Sequence, residues 1–242
     1  MRISFRPLIG LSLATAILFS GLIGLGVWQL ERLEWKRALI AQVDRNLAAP
    51  PLPLDRALAM GADAAQYRRV VLDGRFDNVK EAYLFATDAD GNPVYHVLVP
   101  FRTVRETLLV DRGIVPPALQ PASTRKAGEI DGRTRITGVW RVPDPAGLFT
   151  PPPDLGKRIW YSRDVRTIAR ADGVALAAPV IIEADSTPNP GGWPRGGQTR
   201  VHFRNEHLQY AITWFALAAS LLVLYFAYHL SKGRLRQERR GS

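Results

Sequence analysis

The 242-residue chain has no cysteine and only two methionines, Met1 and Met60. The first absence excludes disulfides, cysteine-ligated zinc, iron–sulfur clusters, CxxCH haem attachment and thiol-based copper carriage. The second argues against a methionine-rich copper site. The familiar catalytic signatures are missing too: no HExxH, G-x-S-x-G, P-loop or dinucleotide-binding fingerprint occurs. Carboxylates such as Asp73, Asp111 and Asp164 are scattered, and sequence alone does not pair them. The chain is therefore not expected to be an enzyme.

Two long stretches lack charge. Pro7 to Leu30 and Leu208 to Leu230 contain no Lys, Arg, Asp or Glu. As a helix the first would be about 36 Å long, enough for a hydrocarbon core of about 30 Å with some tilt. It ends in "GVWQLERLEWKR", without the small-residue cleavage pattern of a signal peptide, and predicts a retained span. The net charge of +10 gathers at the borders of these runs: Arg2 and Arg6 before the first, Lys232, Arg234, Arg236, Arg239 and Arg240 after the second. That placement is a topology signal, and no nucleic-acid partner is expected.

Basic outer ends put both termini in the cytoplasm. The expected organisation is a cytoplasmic N-terminus (1–6), a transmembrane helix (7–30), an outer domain (31–206), a second transmembrane helix (207–230) and a basic cytoplasmic tail (231–242). The protein would be a multi-pass component of the lipid bilayer. In a Gram-negative-like cell the membrane is the inner membrane and the central domain is periplasmic. In an organelle it is the mitochondrial inner membrane, with the domain in the intermembrane space.

The outer segment reads as β-rich. Runs 68–76, 81–86, 94–101, 107–115, 133–140 and 179–184 are short and β-prone, separated by turn signals such as "DADGNP" and "DPAG". They predict a mainly antiparallel sheet or small barrel (α+β overall) between the two transmembrane α-helices. "SRDVRTIARADG" predicts a short helix, with Ser162 or Asp164 at its start and Gly173 after its end. "ALIAQVDRNLAA" continues the first helix beyond the membrane, and "PPLPLDRALAM" breaks it.

Each span carries a distinctive face at its outer boundary. Taking Trp28 as zero and about 100° per residue, Arg32 lies near +40° and Trp35 near −20°, with Gly24 and Gly21 on nearly the same side. In the second span His207, Tyr210, Ala211 and Trp214 follow the i, i+3, i+4, i+7 rule. If the helices pair through these faces, one pocket forms at that depth. The alternative reading makes the aromatics interfacial anchors and Asn205 an N-cap. His229, beside the basic tail, reads as interfacial. His96 falls in a strand and His202 precedes the span; neither has a partner at metal-ligand spacing.

"LGVWQLERLEWKRALI" (25–40) and "RNEHLQYAITWFAL" (204–217) closely resemble the two span blocks of the Surfeit locus protein 1 family, the cytochrome c oxidase assembly factors. Weaker blocks lie between them in the same order: "GRFD", "VYHVLVPF", "LLVDRGIVP", "ITGVWRVPD", "LFTPPPD", "WYSRDV" and "GGWPRGG". The chain departs from the family at Asp111-Arg112-Gly113-Ile114, where Asn-Arg-Gly-Trp is usual, and at Asn205-Glu206, where two asparagines are common. The resemblance implies help in building haem–copper oxidase on the respiratory chain, and in bacterial members a haem a-binding role. It places the haem-associated histidine, a ligand to the haem iron, at His207. Around it Tyr210, Trp214, Trp28 and Trp35 would face the macrocycle, and Arg32 would pair with a propionate. The implied partners are the catalytic subunit of cytochrome c oxidase and haem a synthase. The rival expectation is a scaffold that stabilises the nascent oxidase subunit without haem.

Overall fold

The computed structural model describes residues 2–143, 146–199, 203 and 205–238. His202 lies outside them. The chain divides into two compact units, Met1–Gln42 with His202–Ser242, and Val43–Val201.

The first unit is a helical hairpin. Helix α1 runs over Ile9–Ala48, 40 residues, and enters the second unit at its end. At about 1.5 Å per residue it is roughly 60 Å long, twice a hydrocarbon core, so the helix continues well past the apolar run. Helix α4 spans His207–Ser231. Both are long and apolar enough to cross a membrane. Ahead of α1, strand β1 (Arg2–Phe5) pairs antiparallel with β10 (Leu235–Glu238), which follows α4. This ribbon holds the two ends of the hairpin side by side.

The helices meet along a 3–4 repeat. On α1 the covered positions are Ser12, Thr15, Phe19, Leu22, Gly26, Gln29 and Leu33. On α4 they include His207, Ala211, Trp214, Ala218, Leu221, Tyr225 and His229, with Phe215 and Leu222 beside them. The α1 steps average 3.5 residues and the α4 steps about 3.7, close to the period that keeps a seam facing its partner. Small residues let membrane helices approach closely, and Gly26 shows how closely: a Cβ there would lie 2.5 Å from the Phe215 ring. The expected pairing face is thus corrected. Gly21 and Gly24 have open space where a Cβ would go, and the Trp28 side of the helix points outward. Gln29 and Leu33 lie about 100° and 140° around the helix from Trp28.

Polar groups fasten the ribbon end of the seam. The Ser12 and Tyr225 hydroxyls are 2.5 Å apart. His229, near the end of α4, is fully buried. Its Nδ1 lies 2.9 Å from the Tyr225 carbonyl, and its Nε2 accepts from the Leu8 N–H at 3.3 Å. The imidazole thereby serves an N–H at the start of α1 that has no carbonyl one turn back. Because the chain lacks cysteine, the seam can be probed directly. Ser12→Cys with Tyr225→Cys should crosslink readily through a short bis-thiol reagent that spans the length of the lost tyrosine ring, a gap too wide for a direct disulfide. Adding Gly26→Leu should lower the yield several-fold; unchanged crosslinking would contradict this packing.

The second unit is a mixed sheet closed into a ring. Its strands are β2 (Leu52–Pro53), β3 (Arg69–Phe76), β4 (Ala82–Thr87), β5 (Pro93–Arg102), β6 (Thr107–Val115), β7 (Thr134–Arg141), β8 (Ile159–Trp160) and β9 (Ile181–Ala184). All six β-prone runs are strands. Their order is β2-β3-β7-β9-β6-β5-β4-β8, and β3 also pairs with β5 through Arg75↔Arg102 and Phe76↔Phe101. That contact closes β3-β7-β9-β6-β5 into a five-stranded barrel. Most pairings are antiparallel; β2–β3, β4–β8 and β6–β9 are parallel.

Period-2 alternation decides which side chains fill the barrel. Val70 and Leu72 of β3 point inward with Leu108, Val110, Phe101, Trp140 and Ile182. Helix α2 (Leu54–Met60), in a stretch expected only to break the first helix, adds Leu54 and Ala57 to this core. Leu109 and Ile181, one residue out of phase, face the other way and pack with Trp160, Val165 and Ile168. The last two belong to α3 (Val165–Ala171), whose N-cap is Asp164: its Oδ1 accepts from the backbone N–H of Arg166 and Thr167.

Candidate functional site

His207 is the first residue of α4. The N-cap position is Glu206, not Asn205, and it makes no side-chain capping bond. The first helical hydrogen bond runs from the Tyr210 N–H to the Glu206 carbonyl at 3.2 Å. His207 is half-buried on the seam, and its Nδ1 lies 2.7 Å from Oε1 of Gln29 on α1. Gln29 is itself buried. An amide oxygen accepts only, so Nδ1 is the donor in this contact, and in the neutral ring Nε2 then carries the lone pair. Metal-binding histidines are usually held this way, the second ring nitrogen donating to an oxygen that fixes the tautomer and orients the ring.

The other candidates divide between two faces. Trp214 shares the seam with His207 and Ala211. Tyr210 is 50% exposed. On α1, Trp28 and Trp35 are 49% and 51% exposed, and Arg32 is exposed with its guanidinium carbon 4.4 Å from the Trp35 ring centroid. The structure therefore sets His207 and Trp214 on the seam and pairs Arg32 with Trp35 on another face. The single pocket expected from all six does not form in the hairpin, because the seam passes through Gln29 and not through Trp28.

Haem fits this site in one respect. A neutral imidazole with one anchored nitrogen is the donor an axial haem bond needs. Among the described residues no group of three or more His, Asp or Glu side chains could hold a bare metal ion. Gln29 escaped the sequence reading although a signal was present: it is the one long polar side chain at the 3–4 positions between Gly26 and Leu33.

Two buried ionic clusters lie in the second unit. His96 on β5 and Asp111 on β6 are both buried and 2.7 Å apart. A bulge between His96 and Leu98 brings them into line. Burial pulls the imidazole pKa down, but the Asp111 charge and hydrogen bond win and raise it. Burial pushes Asp111 up, but His96, Arg163 and the Gly113 N–H hold it below the usual carboxylate range. The second cluster is built on Arg125, 2% exposed in its side chain. Arg125 binds both oxygens of Glu81, at 3.1 and 2.5 Å, and Glu129 at 2.6 Å. Burial and the Glu81 charge push Glu129 up to about 7.

Comparison with known proteins now adds the relationship. The model of the SURF1 family matches residues 16–219. Surfeit locus protein 1 of Mus musculus is 36% identical over 219 residues, covering 84% of this chain and 70% of that protein. Its counterpart in Homo sapiens is 35% identical over 220 residues, covering 84% and 72%. Surfeit locus protein 1 of Takifugu rubripes is 33% identical over 226 residues, covering 86% and 92%. A family match that takes in both span blocks and the whole barrel, with relatives above 30% identity over most of both chains, leads to one conclusion: the chain belongs to the SURF1 family.

Proposed function

We propose that this chain is a non-enzymatic assembly factor for haem–copper cytochrome c oxidase, which binds haem a and assists its insertion into the catalytic subunit. The observation that carries the reading is the His207–Gln29 contact, which holds an imidazole on the helix seam with no partner for Nε2 among the described residues. Haem a is cargo here: its iron supplies an open axial position, and its isoprenoid tail suits a lipid boundary. His207 offers Nε2 to that position. Gln29 holds the Nδ1 proton and the ring plane. Trp214 lies on the same face of α4, about two helical turns further along. Trp28, Trp35, Tyr210 and Arg32 face outward, where they are free to meet the macrocycle edge, its propionates or the protein that delivers or receives it.

The proposed location is a cell inner membrane, with residues between the helices in the periplasm, or the mitochondrial inner membrane if the chain is organellar. Support comes from the basic ends and from the β1–β10 ribbon, which holds both ends of the hairpin together. Reporters active only in the periplasm should be active when fused after Gly128 and silent after Ser242; a silent fusion at Gly128 would overturn the orientation. The proposed partners are the catalytic oxidase subunit and haem a synthase.

The functional test is deletion and complementation. Membranes lacking the protein should contain less assembled oxidase, read from the haem a absorption band and cytochrome c oxidation. The wild-type gene should restore both, and His207→Ala should restore them poorly. Full restoration by His207→Ala would favour a scaffold that stabilises the nascent subunit without haem.

A further inference from the structure

A cleft in the second unit has the chemistry of an anion site, independent of the haem reading. It is a cavity of about 370 Å³ lined among others by Phe85 on β4, Arg141 on β7, Glu183 on β9, and Tyr161, Ser162 and Arg163 between β8 and α3. A smaller cavity of about 210 Å³, which reaches His96, shares Ala86, Arg163 and Glu183 with it.

Both arginines are short of hydrogen-bond partners, although the Arg141 guanidinium carbon lies 4.5 Å from the Tyr67 ring centroid. Arg141 pairs with Ile181 across the β7–β9 ladder, and Glu183 pairs with Val139, so Arg141 and Glu183 are diagonal neighbours on one face. Arg141 Nε stands 3.6 Å from Glu183 Oε1, and Arg163 Nη1 stands 3.5 Å from the same oxygen. One carboxylate is thus shared by two guanidinium groups, each at a distance too long for a strong charge-assisted hydrogen bond. Arg163 also approaches Asp111 at 3.9 Å, but Asp111 is already taken by His96 at 2.7 Å and by the Gly113 N–H at 2.9 Å. Arg141 Nη1 and Arg163 Nε are buried without a hydrogen-bond partner. Neither guanidinium donates to any group among the described residues, although each carries five N–H donors. Buried donors left unmade are costly; two loosely paired guanidinium groups lining one cavity suit an oxyanion held by their accessible nitrogens.

The wall says what the anion is attached to. Phe85 and Tyr161 stand with ring centroids 6.1 Å apart and are 40% and 41% exposed. They offer an apolar slot beside the guanidinium floor. We infer that this cleft binds an organic carboxylate on an apolar stem, its carboxylate bridging Arg141 and Arg163 and its stem lying against Phe85 and Tyr161. Ser162 supplies a further hydroxyl in the same wall.

The test uses the full chain in lipid nanodiscs and equilibrium dialysis of labelled 3-phenylpropionate, with empty nanodiscs subtracted. Saturable binding at one site per chain is expected. The neutral amide, 3-phenylpropionamide, should bind roughly tenfold or more weakly, since it cannot accept paired charge-assisted hydrogen bonds. Arg163→Gln and Arg141→Gln should each weaken the acid by about the same factor and leave the amide unaffected. Arg163→Lys keeps the charge without the planar fork and should fall between. No saturation at millimolar acid, equal binding of acid and amide, or unchanged binding in both glutamine variants would each overturn the assignment. Displacement by inorganic phosphate as efficient as by unlabelled acid would overturn the apolar-stem requirement. The acid–amide comparison needs only the wild-type protein, so a variant that folds poorly does not leave the question open.

Discussion

His207→Ala is expected to lower bound haem a by at least about tenfold, measured as haem per protein after co-expression with the haem a pathway. The axial bond is the one directional link from this helix to the iron, and alanine removes it. The helix itself should survive, because α4 begins on the Glu206 carbonyl and draws no side-chain cap from residue 207. Leu224→Ala, on the exposed face of α4, is the appropriate control and should keep its haem. His229 cannot serve in that role, since it is fully buried and receives the Leu8 N–H. Gln29→Leu should weaken haem a by about 10–100-fold, the usual cost of losing a partner to a ligating histidine. Gln29→Glu, which keeps an acceptor for Nδ1, should restore much of it. Recovery by glutamate would separate an orienting role from mere packing.

Arg125→Ala is expected to cost the β domain about 3–5 kcal/mol, the range found when one member of a buried ion pair is removed. The guanidinium satisfies Glu81, 4% exposed in its side chain, together with Glu129 and the carbonyls of Leu119 and Gln120. Without it, the two carboxylates keep only the more distant Arg112 guanidinium, 4.0 Å from Glu129. Near-UV circular dichroism of the buried Trp140 and Trp160 during urea unfolding reports the loss. Arg125→Met with Glu81→Gln should be markedly milder, because the orphaned charge goes with its partner. The same cluster makes stability depend on pH. Glu129 is raised from 4.5 to about 7, so the folded state holds a proton that the unfolded chain releases. That contribution is fully present below about pH 4.5 and is lost as pH rises through about 7. Glu129→Gln should flatten the dependence across that window. A slope of the opposite sign would show that the Arg125 contact, not burial and Glu81, governs this carboxyl.

Local patterns carried much of the fold. Short β-prone runs between turn signals located all six long strands, and Asp164 marked the start of α3 as a capping residue should. What escaped was what short-range pattern cannot hold. The Arg75↔Arg102 and Phe76↔Phe101 pairs that close the barrel join segments with no shared local signal. β8 has two residues and no periodicity to read. Glu81 and Arg125 are 44 positions apart, and nothing near either predicts the other. Helix α2 hid behind the prolines of "PPLPL".

The helix pair teaches a different lesson. Trp28, Arg32 and Trp35 drew the eye to one face, yet membrane helices associate through small residues and close packing. Gly26, Ala211 and Ala218 on a 3–4 repeat were the better guide, and they turn Gln29 toward His207. His207 itself was legible from the resemblance of its block. Its partner was legible only once the seam was known.

The most direct measurement is nitrogen hyperfine spectroscopy of the ferric haem a complex, made with protein grown on ¹⁵N-histidine. The chain has four histidines, so the variant supplies the assignment. The predicted result is a coupling from one directly bound histidine nitrogen in the wild-type protein, absent in His207→Ala. A complex without histidine nitrogen coupling, or one whose coupling persists in His207→Ala, would contradict the claim that His207 holds the iron.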